Sequence, residues 1–234
     1  MSEQLIKSER DGGVVQVTFD RPAARNLVTY EMMGQLIEAL RAAKSADVLV
    51  IRASGEDFTL GRDQSERPAG VTPAASLERI TEVNGLLSAL EGVSVAVVRG
   101  RALGFGSGLA VQCDITLASD TAVFGFDEIR HGFPPLVVES YLTRYVPRKA
   151  ALDLVLTGRR IPASEAHALG LVSRVVPDSD LDAAGGALVA GLCAANPSAL
   201  RRAKGFLAEI DGVPEAERGP YGVRELVSWR RHQS

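Results

Sequence analysis

Several features that mark whole classes of protein are missing from this chain of 234 residues. It has only two cysteines, Cys113 and Cys193, far apart and without metal-type spacing, so neither a disulfide framework nor a metal site is expected. Both lie in apolar stretches and read as buried thiols, which fits a reducing cytoplasm. No charge of one sign dominates. The 26 Lys and Arg against 29 Asp and Glu leave a formal net charge of −3, which gives nucleic acid no electrostatic footprint. No apolar run approaches the length of a membrane span, and the opening "MSEQLIKSERDGG" lacks the apolar core of an export signal. There is no internal repeat and no low-complexity tract. What remains, 46% hydrophobic and 24% charged, is the composition of a globular domain large enough for one sizeable core.

The patterning that is present alternates between strand and helix periods. "GVVQVTFD" alternates apolar and polar residues and leaves into a loop at "RP". "TYEMMGQLIEALRAAK" places Met32, Leu36, Ile37 and Leu40 at helical spacing behind Thr29 as N-cap. "ADVLVIRAS" reads as a buried strand, "GEDFTLGRDQSER" as a loop with a tight turn at Gly61, and "RPAGVTP" as a mobile surface stretch. "LERITEVNGLLSAL" is an amphipathic helix, "VSVAVV" a buried strand, residues 107–112 a helix and "DITLAS" another strand. Such alternation implies a mainly parallel sheet covered by helices. From about Pro147 the pattern turns helical, with one short strand in "LVSRVV". The expected organisation is an α/β core over 1–146 and a helical region over 147–234.

The stretch "GRALGFGSGLAVQCD", residues 100–114, carries the chemistry. Glycines there let a backbone turn sharply and let a ligand approach main-chain N–H groups, and a helix starting there aims unpaired N–H groups at whatever lies in front. A cradle for negative charge is the result. Dinucleotide binding needs G-x-G-x-x-G in a first strand–helix–strand unit, whereas Gly104, Gly106 and Gly108 are spaced G-x-G-x-G deep in the chain. A P-loop needs Gly-Lys-Ser/Thr, which is absent. The glycines serve either close helix–sheet packing or an oxyanion, which needs two N–H donors converging from separate loops. "DFTLGRD" offers the second loop.

These segments resemble the crotonase (enoyl-CoA hydratase/isomerase) superfamily. "DFTLGRD" is similar to its F-x-x-G-x-D, and "RGRALGFGSGLAVQCDITLAS" to its N-G-x-A-x-G-G-G-x-E-L-A-x-x-C-D-x-x-x-A. "AVFGFDEIRHGFPP" is similar to F-G-x-P-E-x-x-x-G-x-x-P, "LTGRRIPASEAHALGLVSRVV" to L-T-G-x-x-x-x-A-x-E-A-x-x-x-G-L-V, and "TFDRPAARNLV" to R-P-x-x-x-N-A-L. The resemblance implies an α/β crotonase-like (ClpP/crotonase) fold of repeated ββα units with a helical C-terminal trimerisation region. It implies an acyl-CoA thioester as substrate, with coenzyme A part of that substrate and no separate cofactor or metal. It further implies a homotrimer or a hexamer built as a dimer of trimers. In the family a C-terminal helix helps cover the neighbouring site; this chain stops early, at "WRRHQS".

Carried over position by position, the resemblance implies that the N–H groups of Arg62 and Phe105 hold the thioester oxygen, within the turns Leu60–Gly61–Asp63 and Gly104–Gly106. Arg21 and Arg25 would lie near the CoA phosphates, where arginine suits phosphate by charge and forked geometry. Of the two hydratase carboxylates, the second falls on Glu128 and the first on Gly108. Moving a proton between two carbons needs one base, whereas adding water calls for two groups, so this departure favours isomerisation, while the family label favours hydration, and both stay open. Glu139 and His131 are the candidates to replace the missing carboxylate: Glu139 is either that acid or a solvated charge, and His131 either that replacement or a structural, pocket-lining residue. Phe105, Phe126, Phe133 and Leu136 would line an apolar acyl site. Two rivals stand beside this: a catalytically inactive acyl-CoA-binding or scaffolding homologue, and a serine acyl hydrolase using Ser107 and His131.

Overall fold

The alternation in Val14–Phe19 does what period two requires, turning Val15, Val17 and Phe19 inward. The computed structural model describes residues 3–66 and 68–232. Its strands are β1 (Ile6–Asp11), β2 (Val14–Phe19), β3 (Val48–Ala53), β4 (Val93–Val98), β5 (Arg101–Leu103), β6 (Ile115–Ser119), β7 (Val123–Gly125), β8 (Arg160–Pro162) and β9 (Arg174–Val176). Its helices are α1 (Tyr30–Ala42), α2 (Pro73–Ser88), α3 (Phe105–Gln112), α4 (Leu136–Leu142), α5 (Arg148–Thr157), α6 (Ala163–Leu169), α7 (Leu181–Ala194), α8 (Pro197–Ile210) and α9 (Glu215–Arg231). Thr29 caps α1, its hydroxyl accepting from Met32 N–H at 3.1 Å.

The main sheet runs β1-β2-β3-β4-β6-β9 and is parallel from β2 onward. Every residue of β4 is buried because helices cover both faces of the sheet. Ala96 and Val98 face the core beneath α1, α2 and α3, while Val93, Val95 and Val97 pack toward α7 and α8. The first strand, β1, escapes sequence patterning because it is an edge strand with only Ile6 buried. Gly12 and Gly13 turn it antiparallel into β2, with Asp11 opposite Val14.

A second sheet, β5-β7-β8, was not expected. Three-residue strands carry too little periodicity to be read, yet this sheet carries both loops of the site. The other departures are smaller. Helix α3 starts at Phe105, two residues before the expected 107. Helix α2 starts at Pro73 behind Thr72 as N-cap, so it takes in the end of "RPAGVTP"; Arg67 of that stretch lies outside the described residues, as do Met1, Ser2, Gln233 and Ser234. Cys113 is buried as expected, but Cys193 is exposed, because α7 turns that face away from the sheet.

The change of pattern at Pro147 marks the start of α5. Residues beyond it still build the core: β8 and β9 join the two sheets, and Ala151, Leu154, Ile161 and Ala166 belong to the main hydrophobic cluster. Helices α8 and α9 contain no buried residue. Among the described residues no single helix is long and apolar enough to cross a membrane.

Candidate active site

Two turns meet at the start of α3. The first follows β3 and is held in place by Asn26, a buried residue in the left-handed region (φ 53°). Its side-chain amide donates to Ser54 O and Asp57 O at 2.8 Å each, and its Oδ1 accepts from Arg21 N–H at 2.8 Å. The next anchor is Asp57, whose buried carboxylate takes two guanidinium bonds from Arg101 at 2.7 Å. Burial alone would raise the Asp57 pKa, but the bonds and charge of Arg101 outweigh it and hold the carboxyl below its ordinary value. Thr59 then bridges to β5, donating to Arg101 O at 3.1 Å and accepting from Leu103 N–H at 3.0 Å. Gly61 (φ 91°) makes the turn, with its N–H on Thr59 Oγ1 at 3.0 Å.

The next residue, Arg62, forms a parallel bridge with Val28. Val28 N–H donates to Gly61 O and Asp63 N–H donates to Val28 O, both at 2.9 Å. In such a bridge the bracketed residue turns its own N–H away from its partner strand. The Arg62 amide is therefore left without an acceptor among the described residues. Its side chain leaves in another direction and donates to Ser76 Oγ at 2.6 Å.

The second turn is Gly104, whose φ of 50° and ψ of −117° favour glycine. Gly104 N–H donates to Gly125 O at 2.8 Å, and Phe105 opens α3 with its own N–H unaccepted among the described residues. The two turns touch. A Cβ placed on Gly61 would lie 3.0 Å from Leu103 O and 3.7 Å from Phe105 N.

Glu128 begins a short 3₁₀ turn after β7, where Arg160 holds the adjacent Asp127 at 2.9 Å. Its carboxyl lies against the same glycine turn: a Cβ on Gly104 would sit 3.3 Å from Glu128 Oε1. Oε2 is buried and has no hydrogen-bond partner. Burial pushes the Glu128 pKa above its ordinary value, helped by the charge of Asp127 and opposed in part by a hydrogen bond from its own backbone and by His131.

One turn further along α3 comes a side chain that the sequence did not single out. At Gly108 a Cβ would collide with Tyr141 Oη, so the tyrosine hydroxyl occupies the space that a side chain at 108 would need. Tyr141 is buried on α4, and its hydroxyl has no hydrogen-bond partner among the described residues. Burial and the charge of Glu128 push its pKa well above that of an ordinary phenol. The departure at Gly108 signalled that something else fills that volume, but nothing in the linear pattern says what.

The remaining sequence candidates divide clearly. Arg21 donates to Leu27 O at 2.9 Å and Asp63 Oδ2 at 3.2 Å, tying the "RPAARN" loop to the Gly61 turn. Arg25 is exposed beside it, and its carbonyl accepts Leu60 N–H at 3.4 Å. Glu139 and His131 are both exposed, with Glu139 on the face of α4 opposite Val138, Tyr141 and Leu142. Phe105 and Phe126 are buried, whereas Phe133 is 53% and Leu136 64% exposed. Ser107 is a correction to the hydrolase alternative. Its buried hydroxyl donates to Ala102 O at 2.6 Å and accepts from Gly125 N–H at 2.9 Å, so it ties β5 to β7 instead of pairing with the exposed His131. Among the described residues no three His, Cys, Asp or Glu side chains converge as a metal site.

Comparison with known proteins identifies the family and the fold. Residues 9–211 match the family model described as enoyl-CoA hydratase/isomerase. The chain belongs to the enoyl-CoA hydratase/isomerase family. A relative from Mycobacterium bovis, named "Probable enoyl-CoA hydratase echA8", is 36% identical over 208 residues, covering 87% of this chain and 81% of that one. Among solved structures of the family, an enoyl-CoA hydratase from Mycobacterium smegmatis superposes with a TM-score of 0.87 at 29% identity, covering 97% of this chain and 91% of the other. "A putative enoyl-CoA hydratase from Thermobifida fusca YX in complex with acetoacetyl-CoA" gives 0.86 at 33% identity, covering 98% and 96%. The crotonase-like α/β fold expected from the motifs is the fold of these neighbours.

Proposed function

We propose that this family member forms and discharges an enolate of an acyl-CoA thioester, with Glu128 as the group that moves the proton. The observation that carries the reading is the half-buried Glu128 carboxyl, with Oε2 enclosed and unpartnered and Oε1 set against the turn that frees the Phe105 amide. Glu128 takes a proton from the substrate carbon next to the thioester, or from the γ-carbon of its vinylogue. The C–H electron pair passes into the thioester carbonyl, whose oxygen accepts from the Arg62 and Phe105 N–H groups. Glu128 then returns the proton to carbon and the carbonyl re-forms. When the proton comes back to a different carbon, a 3-enoyl thioester becomes a 2-enoyl thioester, and one carboxyl completes the cycle. Arg21 and Arg25 beside the Gly61 turn serve the CoA phosphates. Coenzyme A enters as part of the substrate, so the reading calls for no separate cofactor. The scarcity of cysteine supports a cytoplasmic setting.

The test is spectroscopic. Incubation with a 3-enoyl-CoA should raise the absorbance of the conjugated thioester, and deuterium should enter the α-carbon of a saturated acyl-CoA in heavy water. Silence in both at every chain length tried points instead to an acyl-CoA-binding scaffold. The pH profile adds a second check. Because the Glu128 pKa is raised above its ordinary 4.5, its basic form is lost as pH falls through that higher value. The acid limb of kcat/KM is expected above pH 4.5; a limb at or below it removes Glu128 as the base.

We also propose a homotrimer, alone or doubled into a hexamer. The apolar side chains of the C-terminal helices support it: Leu207, Val223, Leu226 and Val227 are all exposed in the single chain. Light scattering should return three or six times the 24.8 kDa chain mass, and a monomer would refute it.

A further inference from the structure

We propose that the Tyr141 hydroxyl positions the water that adds across a 2-enoyl thioester, so that the tyrosine stands in for the carboxylate missing at Gly108. The inference rests on the reading of Glu128 and the two amides given above, and it extends that chemistry from isomerisation to hydration.

Placement is the first argument. Gly104 and Gly108 are one turn apart on α3, joined by Gly108 N–H to Gly104 O at 3.0 Å. The Glu128 carboxyl lies against the first and Tyr141 Oη against the second. One helical turn advances about 5.4 Å. A water hydrogen-bonded to two oxygens spans them at roughly 5.5 Å, twice an ordinary O–H···O distance. Contacts with glycines one turn apart bring the two groups to the same stretch of α3, close enough for the Glu128 charge to act on the phenol, and one water is the bridge proposed between them.

The second argument is that neither group is satisfied. Glu128 Oε2 is buried without a partner, and Tyr141 Oη has none among the described residues. Glu128 Oε2 is shut off from solvent, while Tyr141 Oη stays open to a small molecule such as water. The polar side chains of α3 itself are engaged elsewhere: Ser107 with Ala102 and Gly125, and Gln112 with Asn84 Oδ1 and Gly108 O at 3.0 and 3.1 Å. Two oxygens without protein partners beside glycines one turn apart are what a single bridging water would bind.

The chemistry balances with Tyr141 keeping its proton. The water oxygen bonds to the β-carbon, and the double-bond electrons move through the α-carbon into the thioester oxygen. Glu128 accepts one water proton and delivers it to the α-carbon as the carbonyl re-forms. The second hydrogen stays on what becomes the β-hydroxyl, and Tyr141 Oη accepts a hydrogen bond from it throughout. The raised phenol pKa keeps Tyr141 neutral, so it orients the water without competing as a base. Tyr141 is thus a positioning residue.

The experiment is Tyr141→Phe, which removes the oxygen and keeps the ring, assayed for 2-enoyl-CoA hydration and for 3-enoyl-CoA isomerisation in parallel. The ratio of hydration to isomerisation is expected to fall about 30-fold or more, carried by kcat with little change in KM. Gly108→Ala, whose methyl displaces Tyr141 Oη, should lower the same ratio and serves if the first variant folds poorly. An unchanged ratio, or an equal loss of both activities, overturns the proposal and leaves Tyr141 a packing residue. A wild-type protein that isomerises but does not hydrate also overturns it, while the Glu128 reading stands. Absence of isomerisation, hydration and proton exchange alike counts against both.

Discussion

Glutamine at position 128 should lower turnover by about a thousandfold, inside the range of roughly 10²–10⁴ that a positioned acid–base group contributes. The side chain keeps its shape and loses its ability to take a proton, so KM for the acyl-CoA should change little. The same substitution should raise thermal stability at neutral pH. A carboxyl whose pKa is raised by folding binds its proton more tightly in the native state than in the unfolded chain. Above the raised value the native protein therefore carries a charge it disfavours, and stability is diminished. Below the ordinary 4.5 the group is protonated in both states and the penalty vanishes. Glu128→Gln should accordingly melt higher than the wild type at pH 7 and equal to it near pH 4. Loss of turnover together with a pH-dependent gain in stability is what a strained functional carboxyl gives. Full turnover in the variant would remove the base assignment, and equal melting at pH 7 would mean that folding does not raise the Glu128 pKa.

How much of this was legible beforehand depends on how locally each feature is encoded. Both turns of the site could be read because each lies in a short segment in which glycine has one structural use. Gly61 and Gly104 adopt φ of 91° and 50°, and both stretches follow strands in the main run of the chain. The frame joining them could not be read. Thr59 pairs with Ala102 across more than forty residues, in a sheet whose strands are three residues long, and no periodicity survives at that length. Strand β1 was hidden for the opposite reason, since an edge strand with one buried residue looks like a polar tail. Tyr141 illustrates the limit for chemistry. The glycine at 108 announced a missing side chain, but the group filling its space comes from another helix, and the nearby acids and imidazole drew attention instead. Glu139 and His131 sit where sequence proximity puts them, on the surface, because α4 turns Tyr141 inward and Glu139 outward.

Gly106→Ala should cost about 10²–10³ in kcat, the effect of losing one oxyanion donor, without touching any group that contacts substrate. A Cβ at 106 would lie 2.6 Å from Thr59 Cγ2 and 2.8 Å from Thr59 O, and real Cβ atoms do not come so close to either. Relief by side-chain rotation would remove only the first contact. The second is to backbone, and Thr59 O is already committed to Leu103 N–H at 3.0 Å. The Gly61 turn and the start of α3 must therefore move apart. Arg62 N–H rides on one and Phe105 N–H on the other, so separation spoils their convergence on a single oxygen. A shift near 1 Å is enough for a loss of about a hundredfold. The same substitution at Gly186, on the exposed side of α7 with nothing within 4 Å of the added carbon, is the control. It should leave kcat unchanged and gain stability, because alanine is favoured over glycine inside a helix by roughly 1 kcal/mol. If Gly106→Ala keeps full turnover while its melting temperature falls, the contact between the two turns is packing alone. Convergence of the Arg62 and Phe105 amides would then not be what the chemistry depends on.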